Sequence, residues 1–209
     1  MKRAYHHGDL RSAAVSAAAD IIKEKGLDAV SMRKVAKRAG VTHGALYQHF
    51  DDKRFLLSAV SENGYQRLAR GMRAAQRRAG GDALERIRSL AIAYIFFAAN
   101  EPAHFRIMSE PELTCSVDEY PSLWESHDAV VGLLVQAVEA AQLGRTLRPG
   151  DPREIALTLW TFTHGYAETI RTGRGFYHDL ADPPRGKPNI KRHFLGVFEP
   201  ILAGFRPVS

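Results

Sequence analysis

The residues best equipped for chemistry cluster in positions 31–53, S-M-R-K-V-A-K-R-A-G-V-T-H-G-A-L-Y-Q-H-F-D-D-K. Thr42, His43, Tyr47, Gln48 and His49 bring hydroxyl, imidazole, phenol and amide groups within eight positions, with Arg33 before them and Lys53 after. These are donors and cations, the groups that contact phosphate oxygens and base edges in a DNA groove. The chemistry they predict is recognition of a nucleic acid. Nowhere in the chain does a Ser/His/Asp or Cys/His motif, a phosphate loop or a metal-ligand spacing occur.

Such groups need elements that aim them. Ser31 is a good N-cap for a helix over 32–39. Val35 and Ala39 are four apart and share a face, and Ala36 is small enough for a close crossing. Gly40 suits a left-handed C′ position, and Thr42 can cap a second short helix. In that helix Leu46 and Phe50 face inward while His43, Gly44, Tyr47 and Gln48 face outward. This is the logic of a helix-turn-helix, in which apolar residues fix the crossing and the second helix enters the major groove. The Thr42 hydroxyl and first-turn amides suit a phosphate. His43, Gly44 and Tyr47 suit base edges, and the Ala45 methyl suits a thymine methyl. Arg33 suits either a phosphate or a guanine. The same spacing also fits a solvated helical hairpin in an all-α protein.

The run Thr42-His43-Gly44-Ala45-Leu46-Tyr47-Gln48-His49-Phe50, followed by Asp51-Asp52-Lys53 and Phe55-Leu56-Leu57, closely resembles the DNA-binding domain of tetracycline-repressor (TetR) family regulators. The upstream run from Ile21 through Gly26-Leu27 to Ser31 is similar to that family's first helix and turn. Arg54 departs from the pattern, because the family often has an acidic residue beside the lysine. The resemblance implies operator reading by the recognition-helix positions, phosphate contacts from Tyr47, Gln48, His49 and Lys53, and a C-terminal domain that binds a ligand.

Charge supports the same reading. Of the formal +6, residues 1–55 carry +5 (11 Lys/Arg against 6 Asp/Glu) and the remainder +1 (18 against 17). A basic segment of this kind fits a phosphate-binding module, although a solvated basic face fits the charge alone equally well. Lys2, Arg3, His6 and His7 form a short basic arm, either laid along DNA or disordered, with no partner ligands at metal-binding spacing. The single cysteine, Cys115, permits no disulfide within the chain and fits a reducing cytoplasm. The N-terminus lacks the apolar stretch of a signal peptide, and the apolar run 90–99 is too short to span a bilayer. The expectation is a cytoplasmic protein with no membrane partner and no cofactor.

Stepping along the chain, apolar residues recur at helical spacing throughout, which predicts an all-α fold. Helices are expected at about 9–25, 32–39 and from 42. A long one runs from an Asp52 cap towards Gly80-Gly81, apolar in its first half and arginine-rich (Arg67, Arg70, Arg73, Arg77, Arg78) on a solvated face in its second. Further helices follow over 84–98 (ended by Pro102), 124–141 (stopped by Gly144), 152–171, and 190–205 despite Pro200. A helical turn is expected at 105–108, and loops at 109–121 and 172–189. The predicted organisation is a three-helix helix-turn-helix domain over 1–55 and a helical ligand-binding and dimerisation domain over 56–209.

In the second half, Tyr94, Phe97, Phe105, Met108, Trp124, His127, Val131, Trp160 and His164 are candidate linings for a pocket holding a small apolar or aromatic effector; each also suits plain core. The run 159–166, L-W-T-F-T-H-G-Y, resembles the tryptophan, histidine-glycine (WHG) signature of one TetR-family C-terminal domain. Gly165 inside a helix costs roughly 1 kcal/mol relative to alanine, which close helix–helix approach would offset. Gly165 and Thr169 with Phe194, Val197, Phe198 and Ile201 are therefore expected in a dimer interface. One recognition helix buries too little for tight specific binding, so a homodimer on a pseudo-palindromic double-stranded site is expected. The leading reading is a ligand-released repressor. An activator or partner-controlled regulator shares the fold, and a small all-α enzyme using His127, Asp128, His164 or Glu168 is a remote third.

Overall fold

The computed structural model describes residues 7–172 and 187–207. All regular structure among them is helical: α1 His7–Lys25, α2 Met32–Ala39, α3 His43–Tyr47, α4 Lys53–Ala79, α5 Ala83–Asn100, α6 Pro102–Met108, α7 Pro121–Leu143, α8 Pro152–Thr172 and α9 Lys187–Ala203, with 3-10 turns at Leu27–Ala29 and Pro111–Leu113. The all-α expectation holds. The basic arm at Lys2, Arg3 and His6 and most of the expected loop at 172–189 lie outside the described residues.

The chain forms two compact units, residues 1–66 with 101–127, and residues 67–100 with 128–209. In the first, α1, α2, α3, the start of α4 and α6 share one core. Ala14, Ala18, Val35, Leu46, Phe50, Leu56, Val60 and Ile107 are all buried in it. The short helices have clear local causes. Ser31 Oγ accepts from Lys34 N at 3.4 Å and Thr42 Oγ1 from Ala45 N at 3.2 Å, each satisfying an N-terminal amide. Gly40 ends α2 at φ 70°, where its N–H turns back to α2 carbonyls. Asp52 Oδ1 accepts from the N–H groups of Arg54 and Phe55 at 2.6 and 3.1 Å and so starts α4. Arg38 then pins α2 to α1 through Glu24 (2.7 Å) and Asp20 (3.6 Å).

The expected helical turn at 105–108 is a full helix beginning at Pro102. Proline stands at its first position, where the missing N–H costs nothing. Gly64 permits this helix to lie against α4, since a Cβ there would meet Met108 Sδ at 2.5 Å and His104 Cβ at 3.2 Å. In place of a plain loop, 109–121 contains the second 3-10 turn.

The second unit is built from α5, α8 and α9 with the remainders of α4 and α7. Its α5 packs on α8, and α8 on α9. Phe194 and Phe198 are buried, at 4.9 Å between centroids, with Phe162 and Tyr166 of α8 around them. Pro200 lies inside α9, which stays continuous to Ala203; a proline there has no N–H to give to the helical ladder.

Candidate nucleic-acid interface and cavity

The reading surface follows from two buried anchors. Leu46 is fully buried and Phe50 is 2 % exposed, and both hold α3 against α1 and α2. With that side fixed, the 3.6-residue period turns Thr42, His43, Gly44, Tyr47 and Gln48 outward, and all five are exposed. Ala45, His49 and Lys53 are half-buried at the margin. His43 and Tyr47, one turn apart, meet edge to face with ring centroids 4.9 Å apart. That contact limits their rotamers and presents imidazole and phenol as one surface. The Thr42 oxygen spends an acceptor site on the cap, which leaves the hydroxyl proton to donate to a phosphate. Arg33 is exposed on the first turn of α2. Lys37, one turn further on the same face, is exposed as well. Sequence reading passed over Lys37, although its four-residue spacing from Arg33 was visible.

Arg54, the departure from the family pattern, points elsewhere. Its guanidinium donates to Glu119 Oε2 at 2.7 Å, and the pair raises the arginine's affinity for its proton.

The nine expected lining residues divide between the units. Phe105, Met108, Trp124 and His127 belong to the first, and Tyr94, Phe97, Val131, Trp160 and His164 to the second. In the first unit Met108, Trp124 and His127 converge on a small cavity of about 20 Å³, with Ser61, Tyr65, Ile107, Thr114 and Leu123 completing its wall. Tyr65 and Trp124 each meet the His127 ring near edge to face, at 5.3 and 5.7 Å. Burial pushes the Tyr65 phenol up to about 12, so it stays protonated as a donor. Phe105 is fully buried and not part of that wall. No signal in the chain foretold Tyr65 or Thr114, because the cavity is closed by residues tens of positions apart.

In the second unit Tyr94 Oη lies 2.8 Å from His164 Nδ1, and Trp160 stacks on the same imidazole at 5.0 Å. Burial lowers the His164 pKa and favours the neutral ring. Val131 and Trp160 are exposed, at 42 and 39 %. Of the expected interface residues, Gly165 and Val197 are exposed, Thr169 and Ile201 half-buried. Phe194 and Phe198 instead lie in the protomer's own core, so they have no surface left to bury against a second copy. Among the described residues a Cβ on Gly165 would meet nothing within 4 Å, so no described helix approaches it closely. Among the described residues no group of three or more His, Cys, Asp or Glu is placed to hold a metal, and no helix is long and apolar enough to cross a membrane.

A capped α2, a left-handed glycine turn and a short α3 with an exposed polar face define the class of helix-turn-helix DNA-binding regulators of transcription. The sequence pattern of the bacterial regulatory proteins of the tetR family matches residues 14–60, and that of the tetracyclin repressor-like C-terminal domain matches residues 87–185. The class A tetracycline repressor from transposon 1721 of Escherichia coli is 48 % identical over 48 residues, 23 % of this chain and 22 % of that protein. The chain thus spans about a fifth of the length of that repressor. The nucleoid occlusion factor SlmA of Haemophilus ducreyi is 31 % identical over 147 residues, 68 % of this chain and 70 % of that one. A solved structure of a protein of unknown function from Rhodococcus sp. RHA1 superposes with a TM-score of 0.82 at 27 % identity, covering 99 % of this chain and 100 % of that one. The chain belongs to the tetR family of bacterial regulatory proteins.

Proposed function

We propose that the chain is a cytoplasmic homodimeric repressor that reads a pseudo-palindromic operator with residues 1–55 and answers a small apolar or aromatic effector through residues 56–209. The division is one of roles, and the compact unit around the reading head also takes in 56–66 and 101–127. The observation that carries the reading is the exposed row Thr42, His43, Gly44, Tyr47 and Gln48 on a helix locked from behind by Leu46 and Phe50. In this reading His43, Gly44 and Tyr47 face base edges, Ala45 a thymine methyl, and Thr42, Gln48, His49 and Lys53 the phosphates, with Arg33 beside them. An α3 of five residues offers few contacts, which favours two copies on successive grooves.

In this reading an effector releases the operator by opening the wall of the cavity in the first unit. About 20 Å³ holds roughly one water molecule, while drug-sized ligands occupy pockets of about 300 Å³ or more. Entry and displacement of the wall are then one event, and a ligand that needs the open wall shifts the population away from the closed one. The spacing of Trp160, His164 and Gly165 on α8 supports a WHG-type C-terminal domain, with Leu157, Trp160 and Val197 as exposed apolar candidates for the dimer face.

The test is a fluorescence-anisotropy titration on a duplex that the wild-type protein selects from a random library. Tyr47→Ala is expected to weaken binding by about 1–3 kcal/mol and relax preference at the base it reads. Lys53→Ala is expected to weaken all duplexes alike and reduce the salt slope by about 1. Unchanged affinity in both variants would contradict the assignment.

A further inference from the structure

Residues 114–120, between the second 3-10 turn and α7, touch both the cavity and the reading head. On the cavity side Thr114 is part of the wall, and Trp124 Nε1 donates to the Cys115 carbonyl at 3.4 Å. On the other side the same residues hold α4 and α1 through two polar latches.

In the first latch Glu119 Oε2 accepts from Arg54 at 2.7 Å, and from the backbone N–H and hydroxyl of Ser116 at 2.9 and 3.0 Å. One carboxylate oxygen closes its own turn and grips the first turn of α4, the turn that follows the recognition segment. In the second, Tyr120 Oη donates to Glu62 Oε2 at 3.0 Å, and Arg11 of α1 donates to the same oxygen at 3.2 Å and also bonds the Tyr120 hydroxyl. Gln66 satisfies the other carboxylate oxygen at 3.1 Å. The Arg11 guanidinium in turn lies 5.9 Å from the centre of the Phe50 ring, the anchor behind α3. Between the latches the Cys115 N–H donates to Ser58 Oγ of α4 at 2.8 Å.

Two properties make this set a relay. Glu62 is only 9 % exposed, so its carboxylate oxygens take their hydrogen bonds from these partners, and losing them is costly. Hydrogen bonds weaken steeply with misalignment, so the latches are either made or broken. We infer that residues 114–120 are a regulatory strap whose latches Arg54–Glu119 and Arg11–Glu62–Tyr120 hold the reading head in its DNA-competent arrangement, and that opening the cavity wall unlatches them. The inference rests on the regulator reading and adds the route between its two sites. Glu119 and Tyr120 are positioning residues; neither needs to touch DNA.

Linkage makes the relay testable with DNA alone. If the strap favours the DNA-competent head, operator binding must tighten the strap by the same factor. Hydrogen–deuterium exchange of the full-length protein, with and without the selected duplex at saturation, is expected to show slowed exchange across 113–127 in the wild type. The double variant Glu119→Gln/Tyr120→Phe is expected to bind about 5- to 150-fold more weakly with an unchanged salt slope, and to lose the slowing at 113–127 even when saturated. Arg54→Ala, which attacks the first latch from the other side, is expected to be non-additive with Glu119→Gln in the same titration. Exchange in α5 and α8 serves as the control for folding. A wild type that binds its duplex without change at 113–127 overturns the strap and leaves the regulator reading standing. So does a double variant that binds as tightly as the wild type, or more tightly with a steeper salt slope, which would mean that Glu119 keeps Arg54 from a phosphate. A wild type that selects no duplex at all defeats the regulator reading and the strap with it.

Discussion

Gly40 and Gly64 show how differently one residue type can be required. At φ 70° Gly40 occupies the left-handed region, and a Cβ there would meet nothing within 4 Å. A side chain costs only the backbone conformation, about 1–2 kcal/mol. Gly40→Ala is therefore expected to lower the unfolding free energy in urea by about that amount, with an unaltered m-value; an unchanged midpoint would argue against the left-handed turn. Gly64 has ordinary helical geometry but no room, because α6 places Met108 and His104 against it. His43 and Tyr47 depend instead on residues behind them. Their exposure is fixed by Leu46 and Phe50, which are buried in the core on the other side of the segment.

At the scale of the element, α3 cannot stand by itself, since five residues are far below the length at which an isolated helix holds. It exists because Thr42 caps it and the shared core takes Leu46 and Phe50. The strap is likewise an element without regular structure, held by side chains. Its acid sensitivity follows from Glu119, whose carboxyl is held at about 2 by the Ser116 N–H, then by Arg54 and the Ser116 hydroxyl, against an ordinary value of 4.5. A depressed carboxyl stabilises the fold fully above its unfolded value, and that contribution drains away as pH falls towards the folded value. The latch is thus intact at neutral pH and is lost between about 4.5 and 2. Urea titrations across that window are expected to show a shallower acid loss for Glu119→Gln than for the wild type. Parallel curves would mean that Glu119 does not ionise differently in the folded chain.

At the scale of the whole molecule, the proposed dimer is tested at Gly165. Gly165 is exposed, and a Cβ there meets nothing within 4 Å among the described residues. Gly165→Leu should therefore fold, helped by leucine's better helix propensity, yet block a close approach by a second α8. Analytical ultracentrifugation is expected to show a folded monomer, and a full dimer would move the interface off this face. What the chain alone determined is local: caps at Ser31, Thr42 and Asp52, the glycine turn, the helical periods, the basic N-terminal segment and the row of donors on α3 are all set by residues a few positions apart, and all were legible there. The tertiary structure alone decided which apolar residues became core and which stayed on the surface. Phe194 and Phe198 went inward while Trp160 and Val131 stayed out, although the same spacing marked all four. It alone joined Arg11 to Tyr120 and Arg54 to Glu119, across 109 and 65 positions. Helical periodicity gives each residue a face but does not name the helix that covers it; that choice belongs to packing between distant segments, which no local spacing encodes.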